Sequence, residues 1–431
     1  MFFVNSKTNW FCLKLKRKTS FCEKRIKQDT SAEKSPNFAT QKNDFMILSF
    51  FKKIQNTPRG YRIANTVFFF LSGFGYSSWV SRIPHIQAQL HLSEAEFGAV
   101  LFAFPIGLML TMPFTGKLLN KYSSRYIMLL GAVMFNIALA LPGLAAFVWQ
   151  LVIILLFFGA SRNIFNLSIN SQSLEVQKLY SKSIITRFHA VWSIAVFSGA
   201  GLGYVMVTQH ITPSYHLLGV SIFMMALTFC FYPMSIHTEP VYVKKKFFSM
   251  PEKNLVKFAL ICFVSMACEN TMYDWSGIYF ENILKASPKM TSAAFVFFAT
   301  AVTLGRLLGD FGVMKFGTKK ILLYSGILIT LGFGICFLLP YVYPTIFGYV
   351  LIGFGVSCVV PLVFSIAGRS SKLSSGSALT SISTIGYLGF LLVPPMVGFI
   401  SEYLSMKWAF LIMALLGILM IFMVNKIGEN E

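Results

Sequence analysis

Along this chain, apolar runs long enough to cross a bilayer, about 20 residues each, alternate with short polar connections. The pattern predicts spans at 62 to 81, 96 to 115, 126 to 147, 149 to 172, 187 to 208, 214 to 235, 255 to 279, 291 to 312, 320 to 340, 344 to 367, 377 to 400 and 405 to 424. The expected fold class is therefore an all-α integral membrane protein of twelve transmembrane helices. Pro and Gly fall inside several spans, as in VPPMVGF at 393 to 399. Neighbouring helices can re-satisfy the backbone groups such residues free.

Residues 1–60 break the pattern. They are polar, Lys-rich and without apolar periodicity, and read as a disordered basic tail. No small-residue cleavage site follows the first apolar run near Ile63, which argues against a signal peptide. Met46, ahead of ILSFFKKIQNTPRGYR, offers an alternative start. The expected organisation is then the tail, a six-helix half over 61–235, a central loop at 236–254, a second six-helix half over 255–425 and a short tail at 426–431.

Charge adds an orientation. One set of alternate loops carries Lys52, Lys53, Arg59 and Arg62, then Lys117, Lys121 and Arg125, then Lys178, Lys182 and Arg187. It continues with Lys244 to Lys246, Lys253 and Lys257, then Lys315, Lys319 and Lys320, then Arg369 and Lys372, and ends at Lys426. The opposite set carries only Arg82, Lys285, Lys289 and Lys407. The positive-inside rule then puts the first set and both termini in the cytoplasm, with the chain in the inner (plasma) membrane. A coarse repeat supports two halves, for YSSWVSRIP around Trp79 is followed 196 residues later by YDWSGIYF around Trp275. Such a repeat places a solute site near mid-membrane between the halves.

Composition narrows the classes. Hydrophobic residues make up 55% and charged residues 12% of the chain, against about 25% charged in soluble domains. The net charge of +21 comes as short clusters between apolar runs, with no nucleic-acid-reading motif, so no nucleic acid is expected. The seven cysteines lack metal-ligand or CxxC spacing and read as small packing residues. Neither a nucleophile with its base nor a metal cluster is legible, so the chain is not expected to be an enzyme or to carry a cofactor.

Polar groups inside the spans are the candidate chemistry, because each is costly there. Glu269, past the middle of the seventh span with Ser265, Tyr273 and Ser276 at helical spacing, is the first candidate for proton coupling. A structural carboxylate locked to a basic partner is its rival reading. Asp274 shares a helix face with Asn270 and lies nearer the outer end, as a gate-forming or coupling group. The fourth span reads SRNIFNLSINSQS, aligning Asn163, Asn166, Asn170 and Ser173 on one face. That stripe suits hydrogen bonds to a polyhydroxylated solute, or amide glue between helices. Arg162 in the same span could pair with Glu269 across the halves or bind an anionic group of a solute. His189 and Trp192 open the fifth span, His189 as a coupling group or a bonded helix-end histidine. Trp79, Trp192, Trp275 and Tyr387 could stack on sugar rings, with interfacial anchoring as the alternative for Trp79 and Trp275. Thr380, Thr384 and Tyr387 align in the eleventh span, and Arg306 and Asp310 stand one turn apart in the eighth, within reach of an ion pair.

The segment GKLLNKYSSR at 116 to 125 resembles the loop signature of the major facilitator superfamily through Gly116, Lys121 and Arg125, with Asn120 where that family has Asp. GRLLGDFGVMKFGTKK at 305 to 320 is the related loop of the second half. Through WVSRIPHIQ, FHAVWS and ENTMYDWSGIY the chain looks like the YbjJ-like branch, near the fucose-permease-like sugar transporters. The resemblance implies the major facilitator fold, a monomer, and cytoplasmic gating by Gly116, Lys121, Arg125, Arg306 and Asp310. The Gly-Pro pair of drug antiporters is missing from SGAGLGYV at 198 to 205. The expected function is secondary transport of a small polar solute, sugar or sugar-like, by proton-coupled alternating access. Efflux of a small organic or anionic solute, and a sensor that binds without transporting, are the alternatives.

Overall fold

The computed structural model describes residues 55–182, 184–239, 252, 255–370 and 375–428, with side chains described for all of these but 367–380. Residues 1–54 of the expected basic tail, with Met46, most of the central loop, Lys372 and the Arg369 and Thr380 side chains lie outside them, and the last residues of the expected tail, from Pro58, already belong to the first helix.

Every long element is helical. The first half runs α1 (Pro58–Val80), α2 (Ile83–Gln89), α3 (Glu94–Leu101), α4 (Ala103–Lys121), α5 (Ser124–Ala140), α6 (Val148–Gln177), α7 (Ile185–Thr208) and α8 (Pro213–Phe231). The second runs α9 (Val256–Ile278), α10 (Pro288–Phe316), α11 (Thr318–Leu338), α12 (Val342–Val356), α13 (Val359–Ser370), α14 (Ser375–Tyr403) and α15 (Met406–Asn425). Pairs α3–α4 and α12–α13 are single predicted spans with a local break. Among the described residues, ten helical segments have the length and hydropathy of a membrane crossing. The other two predicted spans are α1 and α9, each 23 residues long but more polar.

Helix starts follow local chemistry. Thr57 accepts the Gly60 amide at 3.1 Å with Pro58 at the first helical position, and Ser93 and Glu96 form a reciprocal capping box at α3. Each arrangement satisfies amides that the first helical turn leaves without partners.

Small residues set the close crossings. Gly107 of α4 and Gly159 of α6 lie against each other's helix backbones, at Leu156 and Phe104, with no room for a Cβ. The halves meet most extensively in two places. At mid-height α7 packs on α10, where Thr303 Oγ1 donates to the Ser193 carbonyl at 3.0 Å. At the Lys/Arg-poor end α3 packs on α14. There a Cβ on Gly98 would lie 2.6 Å from the Pro394 carbonyl oxygen, and one on Gly398 2.5 Å from that of Glu94. The same end is tied by Asn282 Nδ2 donating to Glu94 at 2.7 Å and the Ala95 amide donating to Glu402 at 3.3 Å. The structure is thus closed at the Lys/Arg-poor end.

Trp79 and Trp275 are buried, and pack on Phe158 and Phe97. They are core residues and not interfacial anchors. Cys262, Cys268 and Cys336 are buried and unpaired, as small packing residues would be.

Candidate substrate site between the halves

The polar residues of α1, α6, α7, α9 and α10 converge at the middle of the bundle. Glu269 of α9 is held by Arg306 of α10, with Nη2 3.0 Å from Oε1 and side chains 17% and 21% exposed. Tyr273 Oη donates to the same carboxylate oxygen at 3.4 Å. Arg306 spends its remaining donors across the interface and within its own half. Nη1 reaches Ser193 Oγ at 3.0 Å, Nε reaches the Ser357 carbonyl at 3.1 Å, and the guanidinium lies 5.2 Å from the Trp192 ring centre. The expected partnerships are therefore exchanged. Arg306 turns to Glu269 in place of Asp310, which is exposed one turn away. Glu269 takes Arg306 in place of Arg162. The reason is geometric: α9 and α10 pack within one half, so their side chains meet without spanning the gap to α6.

Arg162 stands halfway along the 30-residue α6. Its guanidinium carbon lies 3.5 Å from the centre of the Tyr76 ring and 6.0 Å from that of Phe104. This is a cation–π arrangement. Tyr76 in turn meets Tyr273 edge-on at 5.3 Å, joining the two halves through aromatic rings. Tyr76, Trp79, Phe104, Asn270, Asp274 and Phe390 line one small cavity, and Asp274 also borders a second with Tyr273 and His85. Asp274 is 8% exposed and accepts from Asn270 Nδ2 at 2.8 Å.

The asparagine stripe of α6 is engaged with neighbouring helices. Asn163 donates to Thr111 Oγ1 at 3.2 Å and Thr115 Oγ1 at 3.0 Å of α4. Asn166 Oδ1 accepts from Ser72 of α1 at 2.7 Å, and Asn170 and Ser173 bond back to their own helix at Asn166 O and Asn170 O. These contacts are those of amide glue between α1, α4 and α6. His189 is exposed at the start of α7, with its ring edge-on to Phe69 at 5.3 Å. Thr384 and Tyr387 are half-buried on α14. Among the expected gating residues, Gly116 is half-buried, Lys121 is exposed over the Tyr122 ring, and Arg125 reaches the end of α8. There its Nη2 lies 3.5 Å from the Pro233 carbonyl and its guanidinium 4.7 Å from the Tyr232 ring centre.

Two features escaped sequence reasoning. Tyr76 registers in the sequence only as part of a repeat, yet it is where Arg162, Tyr273 and the cavity meet. Arg82 reads as an ordinary loop charge, yet it is fully buried, donating from Nε to His216 Nδ1 and from Nη2 to the Ile211 carbonyl, each at 2.9 Å. The Ile-Pro that follows Arg82 and starts α2 is the one local sign that the chain turns inward there.

Two helical bundles around a polar, aromatic-walled centre, sealed at one end, define the class of multi-pass membrane carriers. The Major Facilitator Superfamily profile matches residues 66–375 and 258–427, and the chain belongs to that superfamily. An uncharacterised MFS-type transporter of Yersinia pestis is 30% identical over 361 residues, covering 82% of this chain and 92% of that protein. The membrane protein MosC of Rhizobium meliloti is 24% identical, covering 81% and 86%. Among solved structures, the nucleoside transporter NupG superposes with a TM-score of 0.65 at 15% identity over 85% of this chain and all of that one. The human organic anion transporter MFSD10 gives 0.62 at 14% identity, over 86% of this chain and all of its own.

Proposed function

We propose that the protein is a proton-coupled secondary transporter of a small polar solute, working by alternating access in the inner membrane with its Lys/Arg-rich end in the cytoplasm. The observation that carries the coupling is the contrast between the two carboxyls of α9. Glu269 has a guanidinium and a phenol on it. Asp274, one turn further along, is buried, borders the cavity and has only an amide donor among the described residues. An intramembrane carboxyl facing a cavity without a cationic partner is the kind of group proton relays use. The coupling role thus moves from Glu269, the first choice on sequence, to Asp274. Glu269 and Arg306 become the brace that joins α9, α10 and α7.

Support for alternating access comes from the interface itself. The seal at the Lys/Arg-poor end includes a glycine crossing, two hydrogen bonds and the packing of Phe97 on Trp275 and Pro84 on Gly277, contacts between side chains and helix surfaces that can part without unfolding either half. A sugar-like solute, as in the fucose-permease-like branch, suits the ring-lined cavity, since aromatic faces pack against apolar sugar faces. A monomer in the bilayer suffices for this reading.

The test is proton flux into proteoliposomes holding a trapped pH dye, challenged with neutral sugars, sugar acids and small peptides. Solute-dependent acidification that disappears in Asp274→Asn is the expected result. Full acidification in that variant would remove Asp274 from the mechanism, and binding without flux for every solute would favour a sensor.

A further inference from the structure

Arg162 is the one arginine of the central site with no acceptor. Its side chain is nine-tenths buried, at 9% exposure for the residue, and Nη1 is wholly enclosed without a hydrogen-bond partner. Among the described residues, its contacts are the faces of Tyr76 and Phe104, with no hydrogen bond or ion pair. Two other arginines show what a structural role looks like here: Arg82, whose Nη1 is likewise enclosed without a partner, has His216 and the Ile211 carbonyl for its other donors, and the partly exposed Arg306 has Glu269, Ser193 and Ser357. A guanidinium at mid-membrane costs several kcal/mol when its donors are unmet. A ring face offsets only part of this, about 2 kcal/mol or more when desolvated. A guanidinium presents a planar fork of N–H groups that matches a planar or tetrahedral oxyanion in two parallel hydrogen bonds.

We propose that the transported solute carries a carboxylate or phosphate group, and that Arg162, stacked on Tyr76, is the residue that binds it. The inference rests on the transport reading above and names the chemical class of its solute. Charges at the site agree with it. Arg306 and Glu269 neutralise each other, which leaves Arg162 and Asp274 to be balanced. The charged and titratable groups around them are Tyr76 of α1, His85 of α2, Glu269 and Tyr273 of α9 and Arg306 of α10, with His189 of α7 beyond Arg306. With Asp274 ionised the empty site is neutral. With a proton on Asp274 the site is left with the charge of Arg162, and a monoanion at Arg162 restores neutrality. Proton and anion therefore enter as a matched pair, and the loaded and empty carriers carry the same net charge. Tyr76 is the physical link, since its ring holds Arg162 and lines the cavity that Asp274 borders.

The experiment is a thermal-shift titration of the full-length purified protein with four probe sets. These are carboxylates (glucuronate, succinate, benzoate), phosphates (glucose 6-phosphate, glycerol 3-phosphate, inorganic phosphate), neutral solutes (glucose, inositol) and amines (glucosamine, putrescine). Stabilisation is expected from carboxylates or from phosphates, and which of the two responds identifies the oxyanion. Arg162→Gln is expected to weaken the response about ten- to a hundredfold, the scale of a charge-assisted hydrogen-bond pair. Arg162→Lys keeps the charge without the fork and falls between. Arg162→Gln must retain the monodisperse elution of the parent, and Tyr279→Phe, which lies against Phe410 and lines neither cavity, must retain the response. Stabilisation by neutral solutes or amines alone, an anion response that survives in Arg162→Gln, or no response to any anion overturns the inference. The first of these, together with proton flux on the same neutral solute, overturns the anion and leaves the transporter standing. Absence of flux with every solute removes the transporter reading itself.

Discussion

Replacing Gly98 by Ala places a methyl group where the structure has none to spare. Its Cβ would stand 2.6 Å from the Pro394 carbonyl oxygen and 3.0 Å from the Gly398 Cα, on the opposite half. Ordinary contact begins near 3.4 Å, so α3 and α14 must separate by about 0.8 Å at this point. Overpacking of this kind costs roughly 1–3 kcal/mol. The cost falls only on the state in which the Lys/Arg-poor end is closed, because α3 and α14 belong to different halves. A shift of 1–3 kcal/mol moves a two-state equilibrium by about 5- to 150-fold. Hydrogen–deuterium exchange on the protein in nanodiscs reads it directly. Exchange at Glu94–Leu101 and along the outer turns of α14 rises in Gly98→Ala, while α5 and α11 keep their parental rates. Gly159→Ala is the control. Its Cβ would run into the Phe104 backbone within one half, so it lowers the melting temperature without favouring either state. Unchanged exchange at Glu94–Leu101 in a folded Gly98→Ala protein would refute the argument that this crossing is the seal.

The Glu269–Arg306 brace predicts strong coupling. Arg306→Gln or Glu269→Gln alone destabilises by roughly 2–4 kcal/mol, somewhat below a fully buried pair because both side chains keep some exposure. The double substitution recovers much of that loss, and additive losses in melting temperature would count against the pair. His85 lies in α2, between spans, where burial first and the Arg82 guanidinium second hold its imidazole below the ordinary range. Folding keeps it neutral while the unfolded chain takes up the proton first. Its contribution is therefore present above the unfolded pKa and lost as pH falls below it, toward the lower folded value. Melting temperature should drop below about pH 6.5, with a flatter profile in His85→Gln; identical profiles would dismiss this source. Tyr279 donates to the Cys336 carbonyl at 2.5 Å and stacks on Phe410 at 4.4 Å. Tyr279→Phe keeps the stack and loses about 1 kcal/mol of stability, with transport unchanged in the proteoliposome assay.

The spans were readable because a bilayer imposes one demand on every helix, a run of apolar residues of fixed length. Even the break in the second span is marked, by Pro105 close behind Phe102. The pairing of polar side chains was not readable in the same way. Glu269 and Arg306 are 37 residues apart, and nothing in either helix alone says that they face each other. Arg162 was expected either to pair with Glu269, because charges in membranes usually pair, or to bind an anionic group of a solute. Its actual neighbour is an aromatic face, which has no charge to announce it. The asparagines of α6 stand at helical spacing in the sequence, but a face turned to solute and one turned to a neighbouring helix have the same sequence. Trp79 and Trp275 misled for a similar reason, since a tryptophan near a span end is as compatible with the core as with the headgroup region.

α1 and α9 fall short of the hydropathy of the other ten segments, and they bring Ser72 and Tyr76 in one case, Glu269 and Asp274 in the other, to the centre of the bundle. Each also opens its half, so during synthesis it meets the membrane before the helices that will cover its polar face exist. Helices this polar are poor substrates for insertion on their own. Their entry into lipid must then wait on the later helices of the same half, α7 for α1 and α14 for α9, which pack most closely on them. The residues that equip this protein to handle a solute thus set the order in which it can be assembled.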